Sequence, residues 1–160
     1  MILRILCVGH KPPAWVAAGF EDYARRMPRE ARIELAEIKP APRSRQKSSA
    51  ASVARILGIE KTRIDSAIAP GCVRIALDER GKTLSTADLA RRMSAWMQEG
   101  RDVAFMIGSA DGLDAGLKAG ADLLLSLSAM TLPHALVRVL LAEQLYRAVS
   151  MIQNHPYHRE

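Results

Sequence analysis

Short apolar runs alternate with helical patterns along the whole chain. The runs predict strands over residues 3–8, 32–38, 72–77, 103–107 and 123–127. Apolar or small residues at helical spacing predict helices over residues 15–27, 49–69, 85–100, 113–119 and 135–152. Because most of these strands are apolar throughout, the pattern predicts an α/β domain whose mainly parallel sheet, of five to six strands, has helices on both faces.

Turn and capping residues mark the ends of several of these elements. Gly9 ends the first strand, and Pro28 ends the first helix. Ser85, with Asp88 three residues later, predicts a capping box at the start of the third helix. Residues 78–82 are polar and predict a charged turn, and Pro133 is expected at the first position of the last helix.

The last predicted helix is apolar on nearly every side. Thirteen of the eighteen residues in 135–152 are apolar, so the helix must be covered on more than one side. A fully internal helix is less favoured, because terminal helices usually lie at the surface. We therefore expect the sheet on one side and a second subunit on the other, which makes a homodimer. Glu143 and Arg147 stand i,i+4 on its remaining polar stripe and are expected to pair.

Composition narrows the class of protein. The 160 residues predict a single domain, 1–160, and 49 % hydrophobic residues suffice for a sizeable core. No apolar run approaches the roughly 20 residues of a membrane span. Cys7 and Cys72 lie in apolar runs, form no metal quartet and suit a reducing cytoplasm. We therefore expect a cytoplasmic protein without metal.

The net charge is concentrated in one stretch. Residues 39–63, the basic segment, hold seven basic residues against one acid, Glu60, so they carry the whole net charge of +6. Such a patch is typical of a protein that binds a phosphate backbone, although a solubilising loop has the same composition.

Ligands of parallel α/β folds bind at the carboxyl ends of strands, so the loops after Leu77, Ile107 and Leu127 are the candidate site. Residues 108–112 (GSADG) follow a strand and precede a helix, which suits either close approach of a ligand or a plain turn. They are not the G-x-G-x-x-G fingerprint of dinucleotide enzymes. The hydroxyl-rich residues 127–132 either read an adenine edge or cap the last helix through Ser128 and Thr131.

The C-terminal third carries a family resemblance. Residues 127–140 (LSAMTLPHALVRVL), 143–148 (EQLYRA) and 154–160 (NHPYHRE) resemble the bacterial large-subunit rRNA pseudouridine-N3 methyltransferases of the SPOUT, or α/β-knot, superfamily. The likeness extends over the full length. One departure is visible, because the family usually has two glycines and a Glu where this chain has Gly108, Ser109 and Asp111.

The resemblance implies a C-terminal trefoil knot and a homodimer with a composite site, in which the partner's tail helps to hold the substrate. It implies S-adenosylmethionine as cofactor and N3 of a pseudouridine in 23S rRNA, within the assembled ribosome, as substrate. The matching cofactor positions are Leu77, Gly108, Leu127, Ser128, Ala129, Met130, Thr131 and Leu132.

The tail supplies candidate catalytic groups. His158 is the first candidate for proton acceptor or orienting group, because a free imidazole titrates near about pH 6.5. Tyr157 can stack on or orient the base, while Arg159 and Arg147 can hold phosphate or a developing oxyanion. His134 is a second candidate histidine, or simply caps a helix. The alternative function is a non-catalytic rRNA-binding or assembly factor, with the same charge and no cofactor.

Overall fold

A computed structural model describes residues 1–43 and 49–159 of the chain; of His158 and Arg159 it describes the backbone only. The strands are β1 (Ile2–Val8), β2 (Arg32–Ile38), β3 (Val73–Thr83), β4 (Val103–Ile107) and β5 (Leu123–Ser126). The helices are α1 (Ala14–Arg26), α2 (Ala50–Ala67), α3 (Thr86–Gln98), α4 (Ala115–Ala119) and α5 (His134–Ile152), followed by a 3-10 helix (Pro156–Arg159).

The strands form one parallel sheet in the order β2-β1-β4-β3-β5. The predicted α/β class and parallel sheet are confirmed, and of the five to six strands expected the described residues form five. Side chains alternate between the two faces: in β1, Ile5 packs in the core on one face and Leu6 in the core on the other. Helices α1, α3 and α5 cover the first face, and α2 and α4 cover the second.

Several predicted boundaries are confirmed by their caps. Ser49 accepts a hydrogen bond from the backbone N–H of Ser52 at the start of α2. Ser85 and Asp88 form the expected capping box of α3. Within the described part of the chain, no helix is long and apolar enough to cross a membrane.

Two local predictions are wrong. Residues 78–82 are not a simple turn, because β3 continues to Thr83 and both Leu77 and Lys82 pair with Leu125 of β5. Residues 78–81 therefore leave the sheet between two pairings with one partner, a long-range arrangement that a local charge pattern cannot reveal. Pro133 is the N-cap of α5 rather than its first residue, because its ψ of 131° is extended.

Candidate active site

A cleft of about 540 Å³ opens where β3, β4 and β5 end. The loops after all three strands line it, together with the first turn of α5, so a cleft lies at the predicted location of the site. Its volume lies within the roughly 300–1,000 Å³ usual for small-molecule sites. Of the predicted cofactor positions it is lined by Leu77, Gly108, Leu127, Ser128, Met130, Thr131 and Leu132.

Ala129 is the one predicted cofactor position that does not line the cleft. The neighbouring loop turns on itself: the Ser126 hydroxyl donates to the Ser128 carbonyl oxygen at 2.9 Å, and the Ser128 hydroxyl accepts from the Met130 N–H at 2.9 Å. The hydroxyls thus hold the loop's own backbone, while Met130 stands 77 % exposed. The expectation that Ser128 caps α5 is not met, because its hydroxyl bonds inside the loop.

The loop after β4 depends on glycine. A Cβ on Gly108 would lie 2.3 Å from the carbonyl oxygen of Gly112, a distance that no side chain tolerates. Gly112 itself has a φ of 82°, in the left-handed region that favours glycine. Its N–H donates to the Ser109 carbonyl oxygen at 2.9 Å, which closes the turn. The loop that lines the cleft is therefore tightly folded back on Gly108.

Charged residues that the sequence pattern did not single out form one wall. Asp78, in the excursion of β3, accepts from the Arg80 N–H at 2.9 Å and pairs with Lys118 of α4 at 3.1 Å. Burial acts to raise the pKa of Asp78, but these two donors hold that pKa below its ordinary value. Asp78 therefore stays ionised beside the cleft at neutral pH. Its polar context was visible in the sequence, but its ion pair with Lys118 of α4, forty residues away, was not.

His134 begins α5 and also lines the cleft. Its Nε2 lies 2.7 Å from the Val8 carbonyl oxygen, which can only accept, so this nitrogen carries the hydrogen. Burial and the nearby Arg138 guanidinium lower the pKa of His134. Nε2 is also 3.5 Å from the Cys7 thiol, whose pKa burial raises to about 11. The pair is therefore neutral at pH 7, with His134 tying α5 to the end of β1.

The C-terminal tail packs on α5 of its own chain. The Tyr157 ring lies 4.7 Å from the Tyr146 ring and 4.8 Å from the Arg147 guanidinium. Its hydroxyl lies 3.2 Å from Glu143, which also pairs with Arg147 at 2.7 Å as predicted. Burial, a hydrogen bond with Tyr23 and the Glu143 charge raise the pKa of Tyr157. The predicted roles of His158 and Arg159 fall on side chains outside the described part of the chain.

The tail cluster and the cleft of one chain lie apart. Arg147 is thirteen residues beyond His134 on α5, which at 1.5 Å per residue separates them by about 20 Å along the helix axis. Within one chain, the structure therefore joins Tyr157 to Arg147 but does not bring either to the cleft that holds the predicted cofactor positions.

These features define a parallel α/β domain with a small-molecule cleft above its strand ends. Residues 1–158 match the protein family described as "Predicted SPOUT methyltransferase". Proteins named "Ribosomal RNA large subunit methyltransferase H" from Burkholderia multivorans (strain ATCC 17616 / 249) and Ralstonia pickettii (strain 12J) are 58 % and 57 % identical, over 99 % of both chains in each case. The chain therefore belongs to the SPOUT methyltransferase family, as its resemblance indicated.

A solved structure, a probable methylase family protein from Haemophilus influenzae Rd KW20, matches with a TM-score of 0.52 at 16 % identity. The match covers 97 % of this chain and 68 % of that chain. At this identity the likeness shows the fold alone, and it agrees with the parallel α/β sheet described above.

Proposed function

We propose that this protein methylates N3 of a pseudouridine in 23S rRNA of the assembled large ribosomal subunit, with S-adenosylmethionine as methyl donor. The observation that carries the proposal is end-to-end identity of 57–58 % to proteins named for large-subunit rRNA methylation. Membership in a methyltransferase family does not favour the alternative, a non-catalytic assembly factor. Action on ribosomes also places the protein in the cytoplasm.

The cleft suits a nucleoside cofactor. Leu77, Leu127 and Val137 give it apolar walls, and the backbone of residues 108–112 and 127–132 gives it polar edges. When bound there, S-adenosylmethionine supplies an electrophilic methyl group on a sulfonium. Because Gly108 has no side chain, the backbone of Gly112 can pack closely against it. The loop is therefore compact and leaves the cleft open for the cofactor. The described residues hold no cluster of three or more His, Cys, Asp or Glu side chains able to bind a metal.

The reaction would form a bond between N3 and the methyl carbon while the sulfonium–methyl bond breaks, leaving a neutral thioether, and it releases the imino proton of the base. Tyr157 is not the proton acceptor, because its raised pKa keeps the hydroxyl protonated at neutral pH. Its role is to hold the base, with Arg147 fixing the ring from one side. We assign proton removal or orientation to His158, and contact with phosphate or the developing oxyanion to Arg159.

The separation of tail and cleft supports a composite site in a homodimer. Leu136 and Leu140 of α5 are only partly buried and belong to neither core cluster. Trp15 is 62 % exposed on α1, one turn before Gly19, which packs against Val139 of α5. A second subunit on this apolar surface would cover it and would bring its own tail to the cleft of the first subunit.

Mixing two inactive variants tests both parts of this proposal. One variant carries Gly108→Val, and the other lacks residues 157–160. A heterodimer contains one site with an intact cleft and the partner's intact tail, so mixtures should regain methylation of large subunits that lack the methyl group. Incorporation of label from S-adenosylmethionine measures the activity. Mixtures that exchange subunits and stay inactive would contradict the composite site; a wild-type protein that transfers no methyl group would contradict the function itself.

A further inference from the structure

A buried carboxylate joins the basic segment to the loop of the cleft. Glu60, on α2, is 2 % exposed, and its two carboxylate oxygens accept from different parts of the chain. Oε1 accepts from the backbone N–H of Ala41 at 3.1 Å, and Oε2 accepts from the Ser109 hydroxyl at 2.8 Å. Since a buried carboxylate is costly unless hydrogen-bonded, Glu60 favours the arrangement in which both donors are docked.

Arg43 closes the same arrangement from the solvent side. Its Nη1 lies 2.6 Å from Asp111 Oδ2, and its Nη2 donates to the Ser109 hydroxyl oxygen at 3.2 Å. The Ser109 hydroxyl thus accepts a hydrogen bond from Arg43 and donates one to Glu60, so it acts as acceptor and donor at once. We call the four side chains of Arg43, Glu60, Ser109 and Asp111 the latch.

The latch acts on a loop of the cleft that is closely packed on its own backbone. Ser109 and Asp111 line the cleft, and the loop between them is folded back on Gly108. Glu60 and Arg43 are absent from the lining. Their hydrogen bonds therefore fix the position of residues that face the cleft, while they themselves stay outside it.

We propose that Glu60 and Arg43 are positioning residues for the cofactor site, acting through Ser109 and Asp111 to hold the loop of residues 108–112 in its binding conformation. This inference rests on the proposed function, since it takes the cleft to bind S-adenosylmethionine. It assigns a consequence to Ser109, because its hydroxyl oxygen is hydrogen-bonded to both Glu60 and Arg43.

Calorimetric titration of the full-length protein with S-adenosylmethionine tests the latch. Glu60→Gln, Ser109→Ala and Arg43→Ala should each weaken binding by about three- to tenfold, the effect of losing one or two hydrogen bonds of which some are charged. Arg43→Lys should bind more tightly than Arg43→Ala but less tightly than wild type. A lysine ammonium can still contact Asp111, but it lacks the two-pronged guanidinium that contacts Asp111 and Ser109 together. Arg55→Ala is the matched control: it removes one charge from an exposed position of the basic segment on α2.

Two further readouts separate positioning from general stability. The KM for S-adenosylmethionine should rise while kcat at saturating cofactor is retained. Asp111→Ala should add little to the effect of Arg43→Ala, because the two changes remove the same contact. If Glu60→Gln does not fold, the exposed Arg43 and its partner Ser109 carry the test.

The outcomes distinguish the two proposals. A folded wild-type protein that binds no S-adenosylmethionine overturns the proposed function, and the latch with it. A wild-type protein that binds, with Ser109→Ala and Arg43→Ala variants of equal affinity and equal melting temperature, overturns the latch alone.

Discussion

At the residue scale, the loop after β4 has no room for a side-chain atom at Gly108. The methyl group of alanine there would meet the Gly112 carbonyl oxygen at 2.3 Å, so even the smallest side chain must displace the loop. We predict that Gly108→Ala weakens S-adenosylmethionine binding at least about tenfold, because this backbone forms an edge of the cleft. Isothermal titration measures the change.

A matched glycine provides the control. Gly58 lies inside α2 and has nothing within 4 Å of a Cβ, so Gly58→Ala should leave binding unchanged and stabilise the fold by about 0.5–1 kcal/mol. Equal cofactor affinity in Gly108→Ala and wild type would show that the loop after β4 does not form the site.

The burial of His134 predicts that the stability of the fold depends on pH, with a sign that follows from the lowered pKa. Burial lowers its pKa in the folded chain, so the unfolded chain takes up the proton first as the pH falls. The stability contributed by neutral His134 is therefore complete above its unfolded pKa, about 6.5, and is lost as the pH falls below it. We predict that His134→Gln, which keeps a donor for Val8, flattens the decline of the urea midpoint between about pH 7 and 5. His10→Gln, at an exposed position, is the control, and a decline of unchanged steepness in His134→Gln would contradict the assignment.

At the scale of elements, several basic side chains of the segment of residues 39–63 bind different groups of the same chain. Arg43 pairs with Asp111, Lys61 pairs with Asp65 at 2.5 Å, and Arg63 donates to the carbonyl oxygens of Lys39 and Pro40 at 2.6 and 2.9 Å. The sequence alone suggested that every basic residue of the segment could contact RNA. In the structure, these three side chains already have partners within the chain. Neutralising Arg43 would disturb the latch as well as any phosphate contact.

We therefore predict the RNA contact from Arg45 and Lys47, which lie outside the described residues. Replacing both with alanine should weaken binding to large ribosomal subunits and reduce the slope of log K against log salt by up to about two. Binding at a series of salt concentrations measures the slope. The control replaces Arg25 and Arg26, two cations paired with Glu21 and Asp22 on α1. If both double variants change the slope equally, the basic segment has no special role.

Local chemistry made much of the fold predictable. The capping box of α3, the Ser49 cap and the Glu143–Arg147 pair depend on residues three or four positions apart, so a single sequence contains them. The convergence of three loops also follows from strand polarity alone. The identity of the expected cofactor and the expected role of the tail came from the family resemblance rather than from any local rule.

Contacts between distant residues were not predictable in this way. The excursion of β3 depends on the pairing of both Leu77 and Lys82 with Leu125, 48 and 43 residues away, and the pattern of residues 78–82 is equally that of a surface turn. The latch joins positions 43, 60, 109 and 111, none of which forms a periodic pattern with the others. Glu60 in particular is the single acid of a basic segment and would be assigned to solvent, yet it is buried.

At the scale of the whole molecule, the apolar surface of α5 and the position of the tail are both compatible with the proposed homodimer. The Gly19–Val139 contact and the Tyr23–Tyr146 ring contact show that α1 and α5 run in the same direction. Trp15, one turn before Gly19, therefore lies near the N-terminal end of α5, which is the end that lines the cleft. The exposed apolar surface thus borders the site, where a partner can both bury it and contribute to it.

We predict that Leu140→Arg produces a monomer that binds S-adenosylmethionine within about threefold of wild type and no longer methylates ribosomes. A guanidinium on a long side chain at this partly buried position can reach solvent in one chain but would be buried unpaired in a dimer interface, which is strongly unfavourable. Sedimentation velocity gives the oligomeric state, titration the cofactor affinity and label transfer the activity. Ala95→Arg adds the same charge at an exposed position of α3 and should change none of the three. A Leu140→Arg variant that remains dimeric would place the interface elsewhere, and a monomer that still methylates would show that each chain completes its own site.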